Sequence, residues 1–345
     1  MGRMMDRSDR NVHVLLTVTF PQPLLDRIQA VSPDLKLHTV QVRDAAAIAE
    51  DLLDRTEILY TIDMLPDPDL VPNLRWVQIH YAGMDHIQGN PLISADVIFT
   101  TMSGAAASQM AEYALMSMLS LGHKAPLTLR STPVEQWAEG RYSRFQPTEL
   151  RGSTVGVVGY GSIGREIGRL AKQFGASLLA TKLDLKQLHD PGYVPEDLGD
   201  PGADLPDRIY PPEALRSMAP LCDFLVVCVP LTPRTQGMVD AQVLRAMKKT
   251  AYLIDISRGG IVDHGALVEA LNGGHLAGAA LDVFPVEPLP ESSPLWGMPN
   301  VMLSPHLAGA SPHYLERAAD LFCDNLQRYI SNKPMLNVYD PQRGY

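Results

Sequence analysis

The sequence lacks any apolar run that could cross a membrane. No stretch approaches roughly 18 consecutive apolar residues, and the opening MGRMMDRSDR is charged without an apolar core, so we expect neither a membrane span nor a signal peptide. Positive charge is also scarce. The chain has 29 Lys and Arg against 39 Asp and Glu, a net charge of −10, which disfavours nucleic acids and anionic membranes as partners. We therefore expect a cytoplasmic protein.

Cysteine is rare as well. Cys222, Cys228 and Cys323 are an odd number and lack the spacing of metal ligands, so we expect reduced core thiols and no metal site. Hydrophobic residues make up 46% and charged residues 20%, values that indicate neither disorder nor a coiled coil. The length of 345 residues is about twice that of a typical domain and predicts two domains.

Two series of short apolar strands alternate with helical patterns. The first begins at residue 12 and contains VHVLLTV, EILYTI, LRWVQI and DVIFT, with the helical pattern PLLDRIQAV after its first strand. The second consists of TVGVV (154–158), SLLAT (177–181), FLVVCV (224–229), YLIDI (252–256), AALDVF (279–284) and NVMLS (300–304). This alternation predicts parallel sheets with crossover helices, and the second series is sufficient for one doubly wound domain.

Two helices and a loop complete the predicted organisation. Apolar residues from Ala107 to Leu119 recur at helical spacing and predict a helix that leads from the first series into the second. Residues 313–333 show the same spacing; this helix is too short to fold alone, so we expect it to dock on the N-terminal domain. Segment 189–212 contains six prolines and two Asp-Pro-Gly turns, which predicts a long surface loop of unassigned role.

A glycine-rich turn joins the first strand of the second series to a helix. Residues 154–167 form the pattern strand, GxGxxG, helix. Gly159 permits the sharp turn, Gly161 lets the backbone approach a pyrophosphate, and Gly164 lets the helix close on the strand. The helix N-terminus adds N–H groups and a positive dipole, so the turn predicts dinucleotide binding.

Five segments together resemble the D-2-hydroxyacid dehydrogenases, the family of formate, D-lactate, D-glycerate, glyoxylate and phosphoglycerate dehydrogenases. They are ELRGSTVGVVGYGSIG (149–164), VPLTPRTQGMV (229–239), DISRGGIVDHGALVEAL (255–271), AALDVFPVEPLPESSPLW (279–296) and NVMLSPHLAGAS (300–311). The resemblance implies an α/β protein with a Rossmann cofactor domain, 107–311, and a discontinuous flavodoxin-like substrate domain, 1–106 plus 312–345. It also implies an active site in the cleft between them, NAD or NADP as cofactor, and a homodimer.

The resemblance implies three catalytic residues. Arg258 matches the substrate arginine, whose planar fork can bind a carboxylate and polarise the adjacent carbonyl. His306 matches the general acid–base that protonates the developing alkoxide, and Glu287 matches the carboxylate that pairs with it. We therefore predict an oxidoreductase that passes a hydride between NAD(P)H and a small 2-oxo acid such as glyoxylate, hydroxypyruvate or pyruvate, giving the D-hydroxy acid.

The family pattern also suggests cofactor and substrate contacts. Lys182 follows the second strand, at a position where NAD-preferring enzymes usually have an acid. Because a lysine can neutralise a 2′-phosphate, the sequence favours NADP weakly. If the strand ends later, Asp184 takes the role of the acid instead. Asp282 either lies near the nicotinamide or caps a turn. Backbone N–H groups around Tyr81, Ala82 and Gly83 would bind the substrate carboxylate. The other predicted cofactor-binding residues are Gly159, Tyr160, Gly161, Ser162, Ile163, Gly164, Val229, Pro230, Thr235, Ile256 and Ser257.

Departures from the family narrow the substrate, and two alternatives stay open. Ile79 stands where phosphoglycerate enzymes have an arginine, and Ala82 where a phosphite-oxidising relative has a lysine, so both chemistries are disfavoured. One alternative is a dinucleotide-sensing protein similar to NAD(H)-dependent corepressors, which can retain the same three catalytic residues. The other is a different reaction on the same fold, such as adenosylhomocysteine hydrolysis. Turnover by the purified protein separates the first alternative from an enzyme.

Overall fold

The chain forms two α/β units. A computed structural model describes residues 11–42 and 44–344, so the expectation for the opening ten residues lies outside the described part. One unit comprises Met1–Ala105 with Pro312–Tyr345, and the other comprises Ala106–Ser311. Each is built on a parallel sheet, which confirms the predicted fold class. The assignment of substrate to the first unit and cofactor to the second stays a prediction.

The first unit contains a five-stranded sheet in the order β2-β1-β3-β4-β5. Its first 105 residues provide β1 (Val12–Leu16), α1 (Gln22–Gln29), β2 (Leu35–Thr39), α2 (Glu50–Arg55), β3 (Ile58–Thr61), β4 (Trp76–Ile79) and β5 (Ile98–Thr100). Strand β2 is not among the predicted strands. This strand lies at the edge of the sheet, where Lys36 and His38 interrupt the apolar pattern and stay at least partly exposed.

The second unit contains a seven-stranded sheet in the order β12-β11-β10-β9-β6-β7-β8. Its strands are β6 (Thr154–Val158), β7 (Ser177–Thr181), β8 (Arg208–Tyr210), β9 (Phe224–Val227), β10 (Tyr252–Asp255), β11 (Gly278–Leu281) and β12 (Val301–Leu303). Its helices are α3 (Ala107–Gly122), α4 (Ala125–Arg130), α5 (Pro133–Gln136), α6 (Arg141–Arg144), α7 (Ser162–Gln173), α8 (Leu215–Met218), α9 (Ala241–Ala246) and α10 (His264–Asn272).

The predicted surface loop at 189–212 is wrong in part. Strand β8 lies within it and pairs in parallel with β7, with Tyr210 opposite Thr181. Tyr210 and Asp200 are both buried, 6% exposed each. The prolines and Asp-Pro-Gly turns conceal this strand because the extended segment is only three residues long at the edge of the sheet.

The last helix, α11 (Tyr314–Ile330), docks on the first unit as expected. The Phe322 ring lies 4.9 Å from that of Tyr60 and 5.3 Å from that of Trp76, measured between centroids. The Tyr329 hydroxyl donates to the Glu57 carboxylate at 2.6 Å. These contacts join the two sequence-distant parts of the unit into one core.

The strand order of the second unit reverses between β9 and β6, and all seven strands are parallel. Their carboxyl ends therefore meet at one edge, where doubly wound sheets bind ligands beside the reversal point. Within residues 11–42 and 44–344, no helix has the length and apolar character that a membrane crossing needs. The same residues contain no group of three or more His, Cys, Asp or Glu side chains that could hold a metal ion.

Candidate active site

The glycine-rich turn links β6 to α7 and is fixed by β7. The Gly159 amide donates to Thr181 Oγ1 at 3.0 Å, and the Tyr160 amide donates to the Thr181 carbonyl at 2.8 Å. Gly159 has φ +102°, a conformation that favours glycine. A Cβ at Gly164 would lie 2.1 Å from the Gly159 carbonyl oxygen, so the helix approaches the strand as closely as the motif requires.

The turn has room for a pyrophosphate. A Cβ at Gly161 would meet no atom within 4 Å, and Gly161 is the N-cap of the 12-residue helix α7 without any side-chain cap. An open backbone at an uncapped helix N-terminus suits an anionic group, because amide N–H groups and the helix dipole both face it. The residues present therefore fit the phosphates of a dinucleotide.

The other predicted cofactor residues follow neighbouring strands at the same edge of the sheet. Lys182 directly follows β7 and its amide donates to the Tyr210 carbonyl at 3.0 Å. The Asp184 carboxylate accepts from the Lys186 amide at 2.9 Å, so it closes a local turn. Thr235 Oγ1 donates to the Pro230 carbonyl at 2.6 Å, which fixes the loop after β9. Val229 belongs to this loop, and Ile256 and Ser257 follow β10.

The structure brings His306 and Glu287 together. His306 Nδ1 lies 2.9 Å from Glu287 Oε2, and Glu287 Oε1 accepts from the Phe284 amide at 3.0 Å. Burial acts most strongly on the Glu287 pKa and tends to raise it. Hydrogen bonds from His306 and Phe284, together with the charges of His306 and Arg258, outweigh burial and lower this pKa below its usual value. Glu287 is thus held as a carboxylate beside the His306 ring.

Asp282 holds the loop that carries His306. Its Oδ1 accepts from Ser304 Oγ at 2.6 Å and from the Leu307 amide at 2.8 Å, and its Oδ2 accepts from the Ala308 amide at 2.8 Å. The side chain is 1% exposed. His306 itself has φ +56°, and its amide donates to the Asp282 carbonyl at 2.9 Å. Of the two interpretations of Asp282, the structure shows the turn-stabilising one, and proximity to nicotinamide stays a prediction.

The turn that carries Arg258 is packed against the segment before Glu287. A Cβ at Gly259 would lie 2.0 Å from the Phe284 carbonyl oxygen, so only glycine allows this approach. The Arg258 guanidinium donates to the Ser257 carbonyl at 2.9 Å. The approach of Gly259 to Phe284 and the contact of His306 with Glu287 bring the three predicted catalytic residues into one region of the second unit.

Sequence reasoning missed three polar residues of this region. Asp255, at the end of β10, is fully buried; its Oδ1 accepts from the Ser257 amide at 3.1 Å, while Oδ2 has no hydrogen-bond partner. Burial raises the pKa of Asp255 to about 7. The Tyr113 hydroxyl on α3 hydrogen-bonds to Ser304 Oγ, behind the His306 loop. Asp255 and Ser304 lie within the quoted motifs, but nothing in their spacing distinguishes them.

The predicted substrate loop belongs to the first unit. It follows β4 and begins at His80, whose amide donates to the Thr61 carbonyl at 2.8 Å. His80 Nδ1 lies 2.7 Å from the Tyr60 hydroxyl, and the Tyr314 hydroxyl donates to the His80 carbonyl at 2.6 Å. Tyr81 is exposed, Ala82 is partly exposed and Gly83 is buried. The base of this loop is therefore fixed, and its role toward substrate stays a prediction.

Comparison with known proteins identifies relatives along nearly the whole chain. Residues 115–308 match the family described as "D-isomer specific 2-hydroxyacid dehydrogenase, NAD binding domain". A glyoxylate reductase of Thermofilum pendens is 31% identical over 91% of this chain and 90% of its own. A D-isomer specific 2-hydroxyacid dehydrogenase of Xanthobacter autotrophicus Py2, solved with NADPH and MES, is 28% identical with a TM-score of 0.77, covering 97% of this chain and 100% of that one. An NADPH-dependent glyoxylate/hydroxypyruvate reductase of Sinorhizobium meliloti, solved with NADP and malonate, is 29% identical with a TM-score of 0.68, covering 95% of this chain and 97% of that one.

Proposed function

Because this chain belongs to the D-isomer specific 2-hydroxyacid dehydrogenase family, we propose that it reduces a small 2-oxo acid with NAD(P)H to the D-2-hydroxy acid. The substrates we propose are of the glyoxylate, hydroxypyruvate or pyruvate type. When bound, the dinucleotide supplies the hydride. The observation that carries the proposal is the His306–Glu287 pair at 2.9 Å in the same unit as the glycine-rich turn.

His306 is the proton donor of the proposed reaction. Its Nδ1 faces Glu287, which leaves Nε2 as the nitrogen that protonates the developing alkoxide and takes the proton back in the reverse direction. Glu287 stabilises the protonated imidazole by its opposite charge. Asp282 fixes the backbone on which His306 lies, so the proton is delivered from a defined position.

Arg258 is the substrate cation of the proposal. Its planar guanidinium can bind the carboxylate of a 2-oxo acid through two parallel hydrogen bonds and polarise the neighbouring carbonyl. The turn beside Gly259 sets its backbone position. Backbone N–H groups around Ala82 and Gly83 are proposed as further carboxylate donors.

We propose NADPH as the preferred cofactor. β7 ends at Thr181, so Lys182 occupies the first position after the strand, and Asp184 lies beyond it in a local turn. This placement favours Lys182 over Asp184 as the residue that meets the adenosine ribose. The Xanthobacter and Sinorhizobium relatives, solved with NADPH and NADP, agree with the proposal.

We also propose a cytoplasmic location, as expected from the sequence composition, and a homodimer, as the family resemblance implies. Four apolar side chains of residues 125–146 are strongly exposed, which supports a face that a second subunit covers. They are Leu129 (85%), Val134 (81%), Trp137 (75%) and Tyr142 (81%). Light scattering on the purified chain tests this, with a monomer mass as the contrary result.

The deciding experiment follows cofactor oxidation with a panel of 2-oxo acids, each assayed with NADH and with NADPH. We expect turnover of glyoxylate, hydroxypyruvate or pyruvate and identify the product's stereochemistry by chiral chromatography. Binding of dinucleotide without turnover of any 2-oxo acid would contradict the enzyme and favour a dinucleotide-sensing protein. The family match and the three relatives lend that alternative no support.

A further inference from the structure

The Pro-rich segment after β7 is attached to α7 by a buried arginine. Arg165 is 0% exposed, although it follows the glycine-rich turn in the first turn of the helix. Its guanidinium donates to the carbonyl oxygens of Leu188 and Asp200, and its Nε lies 3.3 Å from the Asp190 carboxylate. A buried cation is costly without such partners. The Pro-rich segment therefore supplies the compensation that lets Arg165 be buried.

Asp200 organises this segment internally. Its Oδ1 accepts from the Asp204 amide at 3.0 Å, and its Oδ2 accepts from the Leu205 amide at 3.1 Å. Oδ2 also accepts from the Tyr160 hydroxyl at 2.7 Å. One buried carboxylate thus connects the segment to a residue of the glycine-rich turn.

Tyr160 transmits this connection to the backbone of the turn. It lies between Gly159 and Gly161, is 1% exposed, and packs beneath the Arg165 guanidinium at 5.2 Å from its ring centroid. Its two ends are fixed separately, because its amide donates to the Thr181 carbonyl and its hydroxyl to Asp200. The peptide between Gly159 and Tyr160 is therefore held at one end and the Tyr160 side chain at the other, which fixes the direction in which the chain leaves toward Gly161.

Glu166 adds a second attachment on the next residue of the helix. Its carboxylate accepts from the Gly199 amide at 2.7 Å and pairs with Arg169 through two hydrogen bonds of 2.8 and 2.6 Å. The carboxylate side chain is only 3% exposed. Two adjacent helix residues thus hold the segment from 188 to 205 against the start of α7.

We propose that segment 188–205 is a positioning element of the dinucleotide site, in which Asp200 acts through Tyr160 and Arg165 to hold the glycine-rich turn in its binding conformation. The inference rests on the proposed function, because it assumes that this turn binds NAD(P)H. Asp200 and Tyr160 touch no reacting atom in this proposal, so their loss should weaken cofactor binding and spare the chemical step.

Two variants test the proposal on the full chain by calorimetric titration with NADPH and with NADH. Removal of a buried hydrogen bond to a carboxylate should raise the cofactor Kd about tenfold for Asp200→Ala and about fivefold for Tyr160→Phe. At saturating cofactor we expect kcat and the KM of the 2-oxo acid in Asp200→Ala to stay within about twofold of wild type. Glu196→Ala is the matched control, since Glu196 is an exposed carboxylate of the same segment, and its Kd should not change.

Tyr160→Phe keeps the aromatic ring under Arg165. It therefore still tests the proposal if Asp200→Ala does not fold. An unchanged Kd in the folded variants would overturn the proposal. A parallel loss of kcat and affinity with a lowered melting temperature would also overturn it, because the cluster would then serve stability alone. If wild type binds neither NADPH nor NADH, the proposed function itself fails.

Discussion

His80 should make the stability of the first unit depend on pH. It lies at the base of the predicted substrate loop, is 6% exposed, and contacts the rings of Tyr60, Tyr81 and Tyr314. Burial lowers the pKa of His80 to about 4, so the folded chain holds a neutral imidazole. The perturbation we consider is acidification, compared between the parent and His80→Gln, which cannot titrate.

The magnitude follows from the difference between folded and unfolded pKa values. An unfolded histidine binds a proton near pH 6.5, whereas folded His80 binds one only near pH 4. The contribution of the neutral His80 imidazole to the free energy of unfolding is complete above pH 6.5. It is lost as the pH falls to 4, because the unfolded state then binds more protons than the folded state. About 2.5 pH units at about 1.4 kcal/mol per unit give about 3.5 kcal/mol over the full range, and about 2.5 kcal/mol between pH 7 and 4.5.

Tryptophan fluorescence can follow this unit specifically. Trp76 is fully buried in the first unit, whereas Trp137 and Trp296 are 75% and 53% exposed in the second. In a Trp137→Phe, Trp296→Phe background, urea unfolding is monitored at Trp76. Between pH 7 and 4.5, the free energy of unfolding should fall by about 2.5 kcal/mol more in the parent than in the His80→Gln variant. His275→Gln, at an exposed histidine of the second unit, is the control. Equal pH dependence with and without His80 would refute a buried neutral imidazole.

Four further predictions concern the proposed reaction. His306→Asn should lower kcat by about 10²- to 10⁴-fold and leave the NADPH Kd nearly unchanged, and a near-normal kcat in steady-state assays would reject His306 as the proton donor. Glu287→Gln removes the charge that favours the imidazolium, so the rate of reduction should begin to fall at a lower pH; an unchanged pH–rate profile would show that the pair is not coupled. Arg258→Lys keeps the charge and loses the fork, so most of the loss in kcat/KM should persist, and full activity would show that a point charge is enough. Lys182→Asp should shift the ratio of kcat/KM for NADPH to kcat/KM for NADH toward NADH. An unchanged ratio would show that Lys182 does not recognise the 2′-phosphate.

Every strand inside a sheet could be predicted from its apolar run, and so could the edge strands β5 and β12. TVGVV and SLLAT correspond residue for residue to β6 and β7, because central parallel strands require continuous apolar runs. The missed strands, β2 and β8, lie at sheet edges. There, one side of the strand stays open to water, so polar residues such as Lys36 and Arg208 are tolerated and the apolar signal disappears.

The candidate site also has parts that a short stretch of sequence predicts and parts that depend on residues far apart in the sequence. The glycine-rich turn could be predicted because its function resides in the backbone of six consecutive residues. The pairing of Glu287 with His306 came from family resemblance, and the structure places the two side chains in hydrogen-bonding contact. Tyr113 and Asp255 could not be found from spacing. The hydrogen bond of Tyr113 to Ser304 depends on where α3 lies, and the hydrogen bond of Asp255 to Ser257 is local but follows no pattern that distinguishes it in the sequence.

Arg165 shows the limit of sequence reasoning most clearly. In isolation, an arginine in the first turn of an amphipathic helix is expected at the surface, because a guanidinium loses its hydration on burial. Here its hydrogen-bond acceptors are the carbonyl oxygens of Leu188 and Asp200, and the Asp190 carboxylate adds an ion pair at 3.3 Å from Nε; all three residues follow β7. The same prolines and Asp-Pro-Gly turns that indicate a surface loop shape the path that delivers these oxygens. A segment without a regular hydrophobic pattern is therefore held by these polar contacts together with Leu188, Ala203 and Leu205, which pack in the core. Its connection to the glycine-rich turn follows from three-dimensional structure alone.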